Sequence, residues 1–339
     1  MNSAIGFVVL THSNPDQILF LCNRLNELFQ EPPIAVHHDF GQCPLDPARF
    51  TANVVFVENW SRTKWGGTGI VDGALKALRL LYANEGPDWF VLLSGADYPI
   101  TDAKTILADL TQGDFDAYID HRKITRCSLP IPAEGWGDQN YIHPAWVRLA
   151  FERYMAIGFG FFKLATTLGW QRKAIYLRSD FFIRRFTPFD GSLDCYAGDF
   201  WFTANRKAAH ALLEKNAINE RLIAHFRKRP VPDEGLFQTL LCNNPDLRIS
   251  KDNKRFADWR GCVNHPRLLD EDDLLELLAS TDHFARKFSF APETLKKLDH
   301  LVDARASRTD QDSNGIPNSQ TCVQVAHNAP TRDKMDSFR

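Results

Sequence analysis

The sequence predicts an α/β fold built around a mostly parallel central sheet. Three observations lead there. Ile5 to Leu10 is an unbroken apolar run, as expected of a strand buried on both faces. Apolar residues then recur at helical spacing, at Ile18, Leu21, Cys22, Leu25, Leu28 and Phe29. The order strand, helix, strand, strand, helix, strand continues to about residue 120, which is the pattern of a sheet covered by helices.

Each element has its own justification. Ser13 or Asn14 offers a cap for the first helix and Pro15 suits its first turn. Pro32-Pro33 stops that helix. Ile34 to His37 reads as the second strand, ending in His38-Asp39, and Val54 to Val57 as the third. From Ile70 a helix carries Val71, Ala74, Leu75, Leu78, Leu81 and Tyr82 on one face. Trp89 to Leu93 is the fourth strand, followed by Ser94-Gly95-Ala96-Asp97, and a further helix precedes a strand at Ala117 to Ile119. Sheets of this kind bind ligands beyond the carboxyl ends of their strands, which singles out Thr11-His12, His38-Asp39 and Ser94 to Asp97.

Residues 121–190 are rich in Arg, Phe and Trp with weak periodicity, and read as an insertion over one end of the sheet where an acceptor would enter. Helices are expected over Arg206 to Arg227, Glu234 to Cys242 and Glu271 to Ala279. From about Asp303 the chain turns polar, and a disordered tail is expected over 303–339. No internal repeat is visible.

Composition excludes several classes. With 40 basic and 42 acidic side chains the net charge is −2, so no global basic field exists to hold nucleic acid or an anionic membrane. The seven cysteines form no CxxC pair and are odd in number, which reads as reduced thiols in a cytoplasmic protein rather than a disulfide or zinc framework. The apolar run at the start is far shorter than the roughly 20 residues a membrane span needs and has no basic leader. A cytoplasmic protein without a membrane span is therefore expected. There is no GxSxG elbow, no GxxxxGK[ST] loop, no HExxH helix and no GxGxxG after the first strand.

Several constellations could carry chemistry. In Val231-Pro232-Asp233-Glu234-Gly235-Leu236-Phe237 the acids either complement a helix dipole or supply a general base at Glu234. In Phe284-Ala285-Arg286-Lys287-Phe288 two cations between aromatics are either a solvated pair or a clamp for a diphosphate, for which Arg offers a planar fork and Lys a point charge. Trp65-Gly66-Gly67 permits a tight turn after Thr63-Lys64. Asp114-Phe115-Asp116 has the form of a cation-holding triplet, though short acid pairs are common before strands. His37-His38-Asp39 also has metal-ligand types, while a single acid after a strand suits hydrogen bonding to a ribose or base.

Seven segments in order, VVLTHSNPDQ, AVHHDF, NVVFVENWSRTKWGG, DWFVLLSGADYPI, YAGDFWFTANRKAAHALL, VPDEGLFQTLLCNNP and ADWRGCVNHPRL followed by FARKF, resemble the core-2/I-branching β-1,6-N-acetylglucosaminyltransferases and the peptide O-xylosyltransferases (glycosyltransferase family 14). The resemblance spans most of residues 4–290. It implies a GT-A-like, Rossmann-type nucleotide-sugar-binding fold with a helical insertion. It also implies inverting, metal-independent transfer of N-acetylglucosamine or xylose from a UDP-sugar to a hydroxyl of a glycan or protein. By position it makes Glu234 the base or a residue orienting the acceptor, Arg286 and Lys287 the diphosphate ligands, Asp39 the nucleoside-holding acid, and Thr11, Thr63, Lys64, Trp65 and Val263 donor contacts. Asp97 and Trp201 fall on the acceptor side.

Xylosyltransferases carry an acid immediately before the Trp of the GDFWF-like segment. That position is Phe200 here, with Asp199 one residue earlier as the candidate catalytic substitute. The family's paired cysteines and membrane anchor are mostly absent, which suits a bacterial-type cytosolic member. The expected organisation is a transferase domain over 1–302, with a nucleotide-binding half at 4–120 and an acceptor and diphosphate half at 121–302. The alternative from another class is a non-catalytic carbohydrate-binding protein on the same fold.

Overall fold

The computed structural model describes residues 3–125, 142, 146, 156–157, 175–176, 187–189, 191–229, 231–260, 262 and 265–314. Strand β1 (Ile5–Thr11) is buried at every position, as its continuous apolar run requires. Helix α1 (Pro15–Phe29) follows, with Pro15 in its first turn. Neither expected side-chain cap forms. Asn14 stands at the N-cap in a left-handed backbone conformation that Asn tolerates, and its side chain turns to Gln17 instead.

Strands β2 (Ile34–His38) and β3 (Val54–Phe56), helix α2 (Gly69–Leu81) and strand β4 (Trp89–Ser94) complete the first half. Then come β5 (Asp97–Pro99), α3 (Ala103–Gln112), β6 (Ala117–Tyr118) and β7 (Arg122–Ile124). Within 121–190 lie β8 (Ala156–Ile157) and β9 (Ile175–Tyr176), an antiparallel pair. After them run β10 (Cys195–Ala197), β11 (Thr203–Asn205), α4 (Arg206–Leu213), α5 (Ala217–Phe226) and α6 (Leu236–Cys242). The chain continues through β12 (Ile249–Ser250), β13 (Arg255–Ala257), α7 (Leu274–Ala279), β14 (Phe284–Arg286) and α8 (Pro292–Asn314).

The large sheet has the order β12-β6-β11-β4-β1-β2-β3. All neighbours are parallel except at β11, which runs antiparallel to both β4 and β6. The chain is thus a mixed α/β protein with a large, mostly parallel sheet. Because β11 and β12 come from the second half of the chain, the two expected halves share this one sheet. Alternate residues of β1 feed two cores. Ile5, Phe7 and Val9 pack with the buried stripe of α1 (Ile18, Leu21, Leu25), whereas Val8 and Leu10 pack with α2 (Val71, Ala74, Leu75, Leu78).

Several expected elements differ in detail. The single helix expected over Arg206 to Arg227 is two, because Asn216 caps a second helix by accepting from the Asn219 backbone (2.8 Å). Glu234 does not sit inside the helix expected from it. It ends a 3-10 turn, Pro232–Glu234, and α6 starts after Gly235. Glu271–Asp273 is likewise a 3-10 turn ahead of α7. The stretch expected to be disordered from Asp303 is helical as far as Asn314. Its polar composition is offset by anchoring: Leu295, Leu298 and Val302 are buried, Arg24 pairs with Asp299 and Asp303, and Arg305 donates to the Leu278 and Ile100 carbonyls.

Candidate functional site

In-register pairing lines up the carboxyl ends of the central strands. Thr11 stands opposite His38, and Leu10 opposite Ser94. Thr11 is buried, and its hydroxyl donates to His38 Nδ1 (2.6 Å), while His38 Nε2 donates to the Cys43 carbonyl (2.7 Å). That pair of contacts assigns the neutral Nε2–H tautomer, and burial holds the imidazole below its usual pKa. His37 is turned away from the site, accepting from the Ser61 backbone N–H (2.8 Å).

Asp39 is fully buried and organises the next loop. Its carboxylate accepts from the Thr63 backbone (2.6 Å) and hydroxyl (2.9 Å), from Gln42 (2.7 Å) and from the Gly41 backbone (3.1 Å). Burial alone would raise its pKa, but these donors outweigh it and hold the acid down to about 2. Thr63, Lys64 and Trp65 are thereby fixed at the strand ends, with Lys64 exposed and the Trp65 side chain 82% exposed. Gly66 turns the chain at φ 66°, and its carbonyl accepts from Val231 (2.9 Å), tying this loop to the one that bears Glu234.

The basic pair lies on the neighbouring small sheet β13-β14-β5. Antiparallel pairing sets Arg286 opposite Asp97. Arg286 Nε donates to Asp97 Oδ1 (3.1 Å), its guanidinium lies 4.6 Å from the Trp201 ring centre, and its NH1 is 3.9 Å from Asp199 Oδ1. Asp97 also accepts from the Ser94 backbone and hydroxyl (2.9 and 2.6 Å). Asp97 and Trp201, expected on the acceptor side, are thus buried (1% and 7% exposed) and support Arg286. Lys287 is partly buried, and its ammonium has no hydrogen-bond or ion-pair partner among the described residues; burial first, then Arg286, lowers its pKa. Beneath them Arg255 donates to Phe202 O and Thr203 Oγ1 (3.2 Å each), fixing the start of β11 just after Trp201.

Carboxylates gather on the other side of Arg286. Asp199 accepts from the Phe200 backbone (2.8 Å) and from Asn253 (3.2 Å), and its own N–H donates to Asp120 (2.9 Å). Burial pushes Asp199 up to about 6, Arg286 pulls against it, and Asp120 and Asp97 add to the rise. The Gly198 N–H donates to the Glu234 carbonyl (3.0 Å), which joins the Asp199 segment to the Glu234 turn. A Cβ at Gly198 would lie 2.1 Å from the Asp120 carbonyl oxygen, so this approach requires glycine. Gln238, fully buried, donates to the Gly198 and Asp199 carbonyls (3.1 and 2.8 Å). Glu234 Oε2 accepts from the Trp146 indole (2.7 Å). Burial, then the charges of Asp233 and Asp199, raise the Glu234 carboxyl well above the usual range, with the indole bond opposing them.

One network therefore joins Arg286, Asp97, Trp201, Asp199 and Glu234, and the Thr11, Asp39 and Thr63-Lys64-Trp65 positions adjoin it through the Gly66–Val231 bond. Val263 lies outside the described residues. The flanking segments are clamped by Asp258, which pairs with Arg260 and Arg267, while Arg267 also pairs with Asp273 and Arg260 with Glu276. Asp114 and Asp116 lie elsewhere. They precede β6, at the opposite end of the sheet from Thr11 and Ser94, and are engaged by Arg248 and Asn205. Sequence reasoning missed Asp120 and Trp146. Asp120 directly follows the strand expected at Ala117 to Ile119, so the rule that found Asp39 applied to it also; Trp146 carried no signal.

A family model described as "Core-2/I-Branching enzyme" matches residues 33–127 and 166–276, more than half of the chain. This protein belongs to the core-2/I-branching enzyme family. Its mixed α/β architecture is consistent with the GT-A-like fold of a glycosyltransferase in that family. Among curated proteins this core-2/I-branching chain is similar to two from Arabidopsis thaliana. It is 23% identical to beta-glucuronosyltransferase GlcAT14A over 257 residues, covering 73% of this chain and 50% of that protein. It is also 23% identical to beta-glucuronosyltransferase GlcAT14B over 285 residues, covering 78% and 58%. The chain thus spans about half the length of the curated relatives it matches. Among its described residues no helix is long and apolar enough to cross a membrane, and the five described cysteines are free thiols.

Proposed function

We propose that this core-2/I-branching family member is an inverting, metal-independent glycosyltransferase that moves a neutral sugar, N-acetylglucosamine or xylose, from UDP to a hydroxyl of a glycan or protein. The observation that carries the reading is the placement of a pre-oriented Arg286 beside Asp199, one backbone hydrogen bond from Glu234. In this reading the nucleoside lies along Thr11, the Asp39 loop and Trp65. Arg286 and Lys287 engage the diphosphate and stabilise the negative charge that builds as UDP leaves. The acceptor enters over 121–190. Its hydroxyl proton passes to Glu234, its oxygen bonds the anomeric carbon, and the carbon–oxygen bond to UDP breaks with its electron pair leaving on the phosphate. Attack from the face opposite UDP in a single displacement inverts the configuration. The free thiols support a cytoplasmic setting.

The names of the two plant relatives favour a second donor, UDP-glucuronate. In this reading a glucuronate carboxylate entering beside Asp199 and Asp233 would meet like charge, so the neutral donor is preferred. The test is UDP release from UDP-N-acetylglucosamine, UDP-xylose and UDP-glucuronate, with EDTA present, with and without a panel of glycan and peptide acceptors. Acceptor-dependent release from a neutral donor is expected. Release from glucuronate alone would replace the donor assignment. Release without any acceptor would make the protein a nucleotide-sugar hydrolase, and no release at all would favour a non-catalytic carbohydrate-binding role. Loss of transfer in EDTA that manganese restores would remove metal independence.

A further inference from the structure

We propose that Trp146 is a positioning residue for the transfer, its indole N–H fixing the Glu234 carboxylate so that a defined oxygen faces the acceptor. This inference rests on the reading of Glu234 as the base. Trp146 is fully buried, and its Nε1–H donates to Glu234 Oε2 at 2.7 Å. No hydrogen bond reaches Glu234 Oε1 among the described residues, so that oxygen is the one left to receive a proton. The indole is itself held. The Arg122 guanidinium lies 5.5 Å from its ring centre, and Arg122 NH1 is anchored on both oxygens of Asp120 (2.7 and 2.5 Å). Asp120 Oδ2 in turn accepts the Asp199 N–H (2.9 Å). A closed path therefore runs from Glu234 through Trp146, Arg122 and Asp120 to Asp199 and back through the Gly198 N–H to the Glu234 carbonyl.

The arrangement has a chemical consequence. The charged groups facing Glu234 are Asp233 on its own turn and Asp199 across from it, both carboxylates, with Arg286 beyond Asp199 and Arg122 behind the indole. Each neighbouring carboxylate disfavours the ionised form that a base needs, and the indole N–H favours it. Trp146 thus does two things for the same group: it fixes the carboxylate plane and it eases loss of the proton. A tryptophan that merely filled space would do neither.

The test uses the full chain and the pH dependence of kcat/KM. Trp146→Phe keeps a ring against Arg122 but removes the N–H. The acidic limb should move up by about one pH unit, the scale of one hydrogen bond to a charged group, while UDP affinity is unchanged. Where Phe fails to fold, a benzothienylalanine at position 146, which keeps the bicyclic shape and lacks the N–H, should give the same shift. An unshifted limb in an active variant overturns the inference and leaves the proposed function intact, whereas a wild-type protein with no transfer from any UDP-sugar overturns that function instead. A second readout needs no turnover. The Trp146 indole N–H resonance, identified by its loss in Trp146→Phe, should titrate in the wild type and become pH-independent in Glu234→Gln. A resonance indifferent to Glu234→Gln overturns the contact itself.

Discussion

Arg286 is asked to do two jobs, and a pair of substitutions separates them. Its guanidinium neutralises Asp97, which is only 1% exposed, and in the proposed mechanism it also binds the diphosphate. Arg286→Ala leaves Asp97 buried and without its cation. Breaking one side of a buried pair costs about 3–5 kcal/mol, which for a chain of this size lowers Tm by roughly 4–8 °C. The loss of stacking on Trp201 is a smaller part, about 1–2 kcal/mol for a desolvated cation–π contact. The same variant should weaken UDP about 10- to 100-fold, the scale of one charge-assisted contact. Taken alone this result is ambiguous, because a destabilised site also binds poorly. Asp97→Asn resolves it. The amide keeps the shape and removes the orphaned charge, so Arg286→Ala with Asp97→Asn should recover most of the lost Tm and none of the UDP affinity. Lys287→Ala is the converse control: with no ion-pair partner among the described residues, it should weaken UDP by a similar factor at nearly unchanged Tm. Calorimetric titration with UDP and differential scanning calorimetry read both quantities. A double variant that binds UDP as the wild type does would refute the diphosphate role of Arg286.

Glu234→Gln should leave UDP affinity intact and lower turnover by about 10²- to 10⁴-fold, the usual worth of a general base; undiminished turnover would remove the assignment. Its pH behaviour has a definite sign. Because the folded carboxyl is raised above its unfolded value near 4.3, the folded state keeps its proton longer. The stability this gives is full below the unfolded pKa and is lost as pH rises towards the folded value, while transfer increases over the same window. Glu234→Gln should therefore show a higher Tm than the wild type above neutrality and a smaller difference near pH 4, measured by Tm against pH. Gly198→Ala sets a Cβ 2.1 Å from the Asp120 carbonyl and should lower both Tm and turnover; a wild-type kcat in that variant would show the backbone approach to be dispensable.

How much of this could be read from the chain differs by element, for physical reasons. The first strands and helices were legible because a buried parallel strand writes itself as an apolar run and a surface helix as a stripe. β11 was not: three residues, Thr203–Asn205, give no period to detect, and their antiparallel insertion between β4 and β6 depends on pairings made far along the chain. The break between α4 and α5 lay in the cap chemistry of Asn216, which the apolar spacing on either side concealed. The part of α8 from Asp303 onward looked disordered because its stabilising partners, Arg24, Leu278 and Ile100, belong to other segments. At the site, Glu234 and Arg286 were visible by residue type, whereas their support was not. Nothing local shows that Trp201 lies under Arg286 or that Trp146 reaches Glu234.

Hydrogen-bond saturation separates the groups that hold the site together from those left for a ligand. Asp39 accepts from four donors, two of them on Thr63. Its effect on a nucleoside must therefore pass chiefly through the loop it fixes, where Lys64 and Trp65 are exposed. Thr11 spends its hydroxyl on His38, and Asp97 is occupied by Ser94 and Arg286. Among the described residues the groups left open include the Lys287 ammonium, the exposed Lys64 and Trp65 side chains and Glu234 Oε1. A cation, an aromatic face and a basic oxygen are what a diphosphate, a nucleoside base and an attacking hydroxyl respectively require. If Asp39 instead contacts the nucleoside directly, one of its four donors must be displaced. Asp39→Asn would then weaken UDP without disturbing the loop, whereas the saturated arrangement expects loop stability and UDP affinity to fall together.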